Sequence, residues 1–308
     1  MIVDAHHHIW DPAARRHAWL DDLPELRRPF LLADYAESTG AEGVTASVLV
    51  QVLASTAETE EFLALSARTA EEAGPGGMSG AAGAAEGEAA GPVPPVVAGV
   101  VGWADLTRDD IGNELARLRA LPGGDRLAGI RHLVQDEPDP GWLARPDVRR
   151  GLRAVGAAGL VFDVLVRPAQ LPAALLVAGE LDDVRFVLDH GGKPEIGAGR
   201  SEPWAGLIGE LAARPNVTCK LSGLVTEAGT GWKRENFVPY VDRLLESFGP
   251  GRLMFGSDWP VCTLAASYRE VITLARTMLD GRLSKAELDG VFGANAVAAY
   301  KLSVPLPH

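Results

Sequence analysis

The sequence predicts an α/β chain that closes into a single (β/α)8 TIM-type barrel. Three observations carry that prediction: eight short apolar runs, a stretch of helical character following each, and no Gly-x-Gly-x-x-Gly after the first run. Runs that are apolar at nearly every position suit parallel strands covered on both faces, and parallel neighbours require helical crossovers. The rival is an open doubly wound sheet, and the missing glycine pattern deprives it of its commonest ligand signature.

The runs fall at 1–8 (MIVDAHHH), 44–51 (VTASVLVQ), 96–103 (VVAGVVGW), 127–134 (LAGIRHLV), 160–166 (LVFDVLV), 184–190 (VRFVLDH), 216–222 (NVTCKLS) and 252–258 (RLMFGSD). The first helical stretch, 31–40, closes on Gly40. The second, 56–74, offers Thr56 or Thr59 as N-cap and Gly74 as stop. Later gaps hold DDIGNELARLRAL, PDVRRGLRAVGAAG, LPAALLVAGEL, WAGLIGELAAR, FVPYVDRLLESFG and YREVITLARTMLDG.

A chain of 308 residues is near the length at which single cores divide, about 250–300 residues. Residues 74–95 (GPGGMSGAAGAAEGEAAGPVPP) consist mostly of Gly, Ala and Pro, which offer little side chain to bury and a high entropy cost of ordering. They read as a flexible insertion between the second helix and the third strand. Eight strand–helix units absorb the remainder, so 1–308 is expected to be one domain.

Composition excludes partners more than it names chemistry. The chain is 47% apolar and 23% charged, with 29 basic against 41 acidic side chains and a formal net charge of −12. Such a surface repels phosphate backbones and anionic membranes, which makes nucleic acid and membrane poor partners. No apolar run approaches the ~20 residues of a spanning helix, and MIVDAHHHIW does not read as a secretory signal. Two cysteines, Cys219 and Cys262, form no disulfide framework and read as structural thiols. A cytoplasmic protein is expected, with monomer and homodimer both open.

In a barrel of this type the chemistry collects at the C-terminal ends of the strands. The first run ends His6-His7-His8, and strand alternation sets His6 and His8 on one face and His7 on the other. Two imidazoles one pleat apart can share a metal ion; an expression-tag remnant would not follow an apolar lead-in of this kind. The sixth run ends Asp189-His190 and the eighth leads into Ser257-Asp258-Trp259-Pro260. In a closed barrel these ends converge, so His6, His8, His190 and Asp258 are expected to bind one divalent ion, zinc first and manganese next. Asp258 is the expected general base that takes a proton from water. Candidate substrate contacts are Lys220 and Ser222 on the seventh run, Arg131 on the fourth, Asp163 on the fifth, Gln51 on the second, and the aromatic rings of Trp10 and Trp259. His132 faces away from Arg131, so only one of the pair lines the mouth.

DAHHHIWD (4–11), IRHLVQDEPD (130–139), LVFDVLVRP (160–168), VLDHGGKP (187–194), KLSGLVTEA (220–228) and FGPGRLMFGSDWPVC (248–262), in this order, resemble the amidohydrolase superfamily of the amidohydrolase-2 type. Within it they resemble the branch of sugar-lactone and 2-pyrone-4,6-dicarboxylate lactonases. The resemblance spans nearly the whole chain and implies a metal site at His6, His8 and His190 with Asp258 as base. Two departures matter: no Lys on the fourth or fifth run could bridge two metals, and Asp163 stands where many relatives have a His ligand. Some lactonases of this branch work without metal, so the resemblance leaves a metal-independent route open. The implied reaction is hydrolysis of a cyclic ester, with a sugar-derived aldonolactone of the L-fucono- or L-rhamnono-lactone type as first substrate. A pyrone dicarboxylate lactone, a nonoxidative decarboxylation and a non-catalytic binding barrel are the alternatives.

Overall fold

The computed structural model describes residues 1–73 and 93–304, so the Gly/Ala/Pro tract expected over 74–95 falls almost wholly outside the described residues. Among those described, eight strands form one sheet in sequential order: β1 (Ile2–His7), β2 (Val44–Val50), β3 (Val96–Gly102), β4 (Leu127–His132), β5 (Val161–Val164), β6 (Arg185–Leu188), β7 (Val217–Leu221) and β8 (Leu253–Phe255). Seven neighbouring pairs are parallel. The circle closes where His8 N donates to Trp259 O at 2.7 Å and Asp258 N to His6 O at 2.8 Å. Gly256 is required at this seam, because a Cβ there would stand 2.7 Å from the His6 Cβ.

Helices α1 (Leu32–Thr39), α2 (Thr56–Ala73), α3 (Ile111–Arg119), α4 (Pro146–Ala157), α5 (Leu171–Glu180), α6 (Trp204–Ala212), α7 (Leu224–Ala228), α8 (Val238–Phe248), α9 (Tyr268–Leu279), α10 (Lys285–Asp289) and α11 (Asn295–Tyr300) complete the units. Helices α9 and α10 begin on reciprocal caps, Ser267 with Glu270 and Ser284 with Glu287. The expected cap of α2 moves to Ser55, whose Oγ accepts from Glu58 N at 3.3 Å. Thr59 instead bonds Trp103 N at 2.8 Å and ties the helix to the end of β3. Gly40 is right-handed, and the positive φ after α1 belongs to Gly43.

Apolar side chains pack in two shells. One joins the sheet to the surrounding helices; the other fills the barrel with small residues such as Ala5, Ala46, Val48, Ala98, Val101 and Val187. Tyr300 and Leu302, from the end of α11 and just beyond it, join this inner shell.

Alternation alone does not describe β1. A register shift between Asp4 and His7 inserts one extra residue relative to β2. Asp4 and His7, three apart, therefore reach the same Tyr35 of α1: its hydroxyl donates to Asp4 Oδ2 at 2.9 Å and its ring stacks on His7 with centroids 4.0 Å apart. His6 and His8 meet each other instead, with Nε2 atoms 3.1 Å apart. Burial pushes the His7 imidazole down to about 3, so it is a neutral packing group bonded to Ser47 Oγ.

Glu58 holds the loop after β2 by accepting from Val52 N at 2.8 Å and Leu53 N at 2.9 Å. Burial pushes its carboxyl up from 4.5 to about 7, against the opposing pull of those two amides. A carboxyl raised in this way adds stability that is complete below about pH 4.5 and is lost as pH rises through about 7. Glu58→Gln is therefore expected to be more stable than wild type at about pH 8, by roughly 2–3 kcal/mol, and to lose that advantage at about pH 4.5. Urea unfolding at the two pH values checks both; equal stability at the higher one counts against this reading.

Candidate active site

The mouth of the barrel is built from four side chains on three segments. His6 lies near the end of β1 and His8 just past it, His190 sits in the turn after β6, and Asp258 in the loop after β8. Asp258 Oδ1 lies 3.4 Å from His8 Nε2, 3.7 Å from His6 Nε2 and 3.9 Å from His190 Nε2. The runs read as continuing to 190 and 258 stop earlier as strands, at Leu188 and Phe255. Beyond them the backbone turns left-handed at both His190 (φ 54°) and Asp258 (φ 59°).

Each imidazole is fixed from behind. His8 Nδ1 faces Val50 O at 2.8 Å, and a carbonyl can only accept, so this nitrogen carries the proton. His190 Nδ1 faces Ser222 Oγ at 2.9 Å. The close approach needs Gly223, where a Cβ would stand 2.6 Å from His190 Nδ1. His6 Nδ1 faces Asp189 Oδ1 at 3.3 Å and Lys220 Nζ at 3.0 Å. Donation from Nδ1 of His8 to the carbonyl and of His190 to Ser222 leaves two Nε2 lone pairs turned toward Asp258, the arrangement that orients imidazoles for a cation. His6 Nδ1 meets an acceptor in Asp189 and a donor in Lys220, and its Nε2 lone pair joins the other two when its proton lies toward Asp189.

Electrostatics reinforce this. Burial pushes His190 down to about 4, although Asp258 and Asp189 pull the other way, so its ring is neutral. Burial likewise holds His6 well below its ordinary value, aided by the Lys220 charge. For Asp258 burial pulls upward, but His190 and the His8 hydrogen bond outweigh it and leave the carboxyl below its usual value. Neutral imidazoles beside an ionised carboxylate suit a divalent cation. Ligand atoms of His6, His190 and Asp258 all lie within 4.8 Å of one another, and His8 adjoins two of them. The set fits one divalent metal ion.

The expected substrate contacts divide. Trp10 and Arg131 line the cavity; Lys220, Asp163, Gln51, Ser222 and Trp259 do not. Lys220 and Asp163 are wholly buried beneath the histidines, with Nζ 2.6 Å from Asp163 Oδ2 and 2.9 Å from Asp189 Oδ1. Tyr300 OH donates to Asp163 at 2.9 Å, and Arg131 Nη1 to Asp189 Oδ2 at 3.0 Å. The sequence reading placed Lys220 at the mouth; partners across the barrel draw it into an internal ion network. Asp189 is held well below the carboxylate range: burial opposes ionisation, but Lys220, His6 and Arg131 prevail. Gln51 spends its Nε2 on Arg131 O at 3.3 Å, and Ser222 serves His190. Trp259 packs outward against Phe30 and Tyr35.

The cavity above measures about 430 Å³, with Trp19 edge-on to Trp10 in its wall, and it adds residues that strand-end reasoning passed over: Gln135, Asp136, Arg167, Lys193 and Glu227. They stand several residues past the strands, Glu227 on α7 and the others in the turns and loops. The sole sequence signal for any of them was membership of the quoted segments, such as VLDHGGKP for Lys193. His132, facing away from the cavity, stacks on Trp142.

A parallel eight-stranded barrel with histidines and an aspartate converging at the C-terminal mouth defines a class of barrel hydrolases. The chain belongs to the amidohydrolase family, whose model, described as Amidohydrolase, matches residues 3–302. It is 35% identical over 307 residues to an L-fucono-1,5-lactonase of Burkholderia ambifaria, covering 98% of this chain and 96% of that protein. It is also 35% identical to an L-fucono-1,5-lactonase of Burkholderia multivorans, covering 98% and 97%. Among solved structures, an amidohydrolase from Burkholderia multivorans with bound zinc superposes with a TM-score of 0.82 at 35% identity, covering 98% of this chain and 100% of that one. Among the described residues no helix is long and apolar enough to cross a membrane.

Proposed function

We propose that this protein hydrolyses a sugar-derived lactone, an aldonolactone of the L-fucono- or L-rhamnono-lactone type, with Asp258 as general base and zinc as the metal. The observation that carries the reading is the convergence of three Nε2 atoms and an ionised Asp258 carboxylate at the floor of a cavity walled by Trp10 and Trp19. The likeness to two lactonases along nearly the full chain supports it. Bound by His6, His8, His190 and Asp258, zinc would polarise the ester carbonyl and acidify water. Asp258 takes the proton of the attacking water, and the two indoles offer apolar faces to the sugar ring.

Charge inside the cavity favours a polyol over a pyrone dicarboxylate. Arg131 is committed to Asp189 and the Gln51 carbonyl, and Asp136 and Glu227 balance Arg167 and Lys193. A decarboxylase reading has no His on β5 to call on, because Asp163 there lies buried under the floor.

Release of acid from a panel of aldono-1,5-lactones, aldono-1,4-lactones and a pyrone dicarboxylate lactone tests the reading. An aldonolactone is expected to be fastest, and faster turnover of the pyrone would overturn the choice. Purified protein is expected to carry close to one zinc per chain. Chelation should lower kcat by about 10²-fold or more, with zinc restoring it; full activity after complete metal removal would sink the metal's part.

A further inference from the structure

Among the described residues, four that are not glycine hold left-handed backbone: His190 (φ 54°), Lys193 (φ 51°), Asp258 (φ 59°) and Lys301 (φ 53°). The first three all line the mouth cavity. L side chains rarely adopt this conformation, and it persists where the surroundings impose it, most often at functional sites. Two of the three are the proposed base and a proposed metal ligand; Lys193 has so far been given no task.

The turn that carries it is built to aim. His190, Gly191, Gly192 and Lys193 are left-handed in succession, and Lys193 N donates to His190 O at 2.9 Å. Trp204 Nε1 donates to Gly191 O at 2.7 Å, and a Cβ on Gly191 would stand 2.9 Å from Leu244. Lys193 Nζ reaches Glu227 Oε1 on α7 at 3.1 Å, with both side chains less than one-fifth exposed. Helix α7 follows Gly223, the residue packed on the His190 ring. The segments that position His190 therefore also position the Lys193–Glu227 pair. The other cations of the mouth suit a proton-donating task less well. Arg131 is occupied from below, and Arg167 carries a guanidinium, which does not give up a proton.

We propose that Lys193 is a catalytic residue of lactone opening: its ammonium, held by Glu227, hydrogen-bonds the ring oxygen that leaves the acyl carbon. This rests on the lactone-hydrolase reading above. Asp258 removes one proton from water, and the water oxygen adds to the carbonyl carbon. When the tetrahedral adduct collapses, the bond from acyl carbon to ring oxygen breaks and its electron pair stays on that oxygen. A proton from the Lys193 ammonium passes along the hydrogen bond to complete the alcohol. The amine is restored by the proton Asp258 had taken, relayed through solvent, so one lactone and one water give one hydroxy acid.

The test compares an aldono-1,5-lactone with its analogue bearing sulfur in place of the ring oxygen. All hydroxyls are kept, but the leaving thiolate needs no proton. Lys193→Met is expected to lose about 10²–10³-fold in kcat/KM on the oxygen lactone and less than about 10-fold on the thiolactone. Lys193→Gly, which suits the left-handed backbone and removes the side chain, is expected to repeat the pattern with Tm unchanged or raised. An oxygen-lactone loss under about 5-fold, or equal losses on both substrates, overturns the proposal and leaves Lys193 a turn or hydroxyl-binding residue. A wild-type protein that opens neither substrate overturns the lactonase reading and this inference with it.

Discussion

Replacing Asp258 by Asn is expected to lower kcat by about 10²–10⁴-fold while the barrel stays folded. The carboxylate stands 3.4 to 3.9 Å from three imidazole nitrogens and is held ionised there, so it is the group able to take a proton from water beside them. Asn matches its shape and tolerates the left-handed backbone at φ 59°, so stability should change by about 1 kcal/mol or less. Metal content must be measured in parallel, because losing a charge also weakens a cation site; zinc titration separates the two effects. Since Asp258 sits below its usual value and His190 is pushed down to about 4, wild-type kcat/KM should hold from about pH 8 to about pH 5. A profile falling through about pH 6.5 would point to an ordinary imidazole as the base. Unchanged turnover in the Asn variant would remove Asp258 from the mechanism.

The second large effect is on folding. Lys220→Met is expected to cost about 3–5 kcal/mol, because it strands two carboxylates beneath the site. Nζ lies 2.6 Å from Asp163 and 2.9 Å from Asp189, all three fully buried, and the remaining partners are Tyr300 for Asp163 and Arg131 and His6 for Asp189. Burial already raises the Asp163 carboxyl, and without the ammonium it rises further. The loss should thus be greater at about pH 8 than at about pH 5.5, where Asp163 takes up a proton. Lys220→Met combined with Asp163→Asn removes one charge of each sign and should recover more than half of the loss. Chemical denaturation at both pH values measures this, and a single-variant loss under about 1 kcal/mol would show that the network does not hold the floor of the barrel. Activity should fall as well, since Lys220 Nζ lies 3.0 Å from His6 Nδ1.

Together these contrasts show which features were legible from the chain. The candidate ligands His6, His8, His190 and Asp258 could be read because each interrupts the polarity of an apolar run at its C-terminal end, a signal contained within a few residues. Lys220 and Asp163 carried the same local signal and were read in the same way. Their partners come from distant strands, so only the closed barrel shows that they neutralise one another. Lys193 and Arg167 left no mark of this kind, because loop residues follow no period, and Glu227 sits on α7, a helix of five residues and too short to show one.

What the sequence determined by itself was the eight strand–helix units, their order and the ends at which chemistry gathers. Apolar continuity and helical spacing are properties of neighbouring residues, and burial on both faces follows from them. The tertiary structure alone decided the extra residue in β1 that turns Asp4 to the side of His7 and away from His6 and His8, whose shared face alternation had already given. It also decided the left-handed turns that aim His190, Lys193 and Asp258, and the burial of Lys220 between two aspartates. Each depends on what stands opposite in space: a strand slips its register to meet a neighbour, a strained φ persists because packing imposes it, and a buried charge is tolerable only with its partner in place.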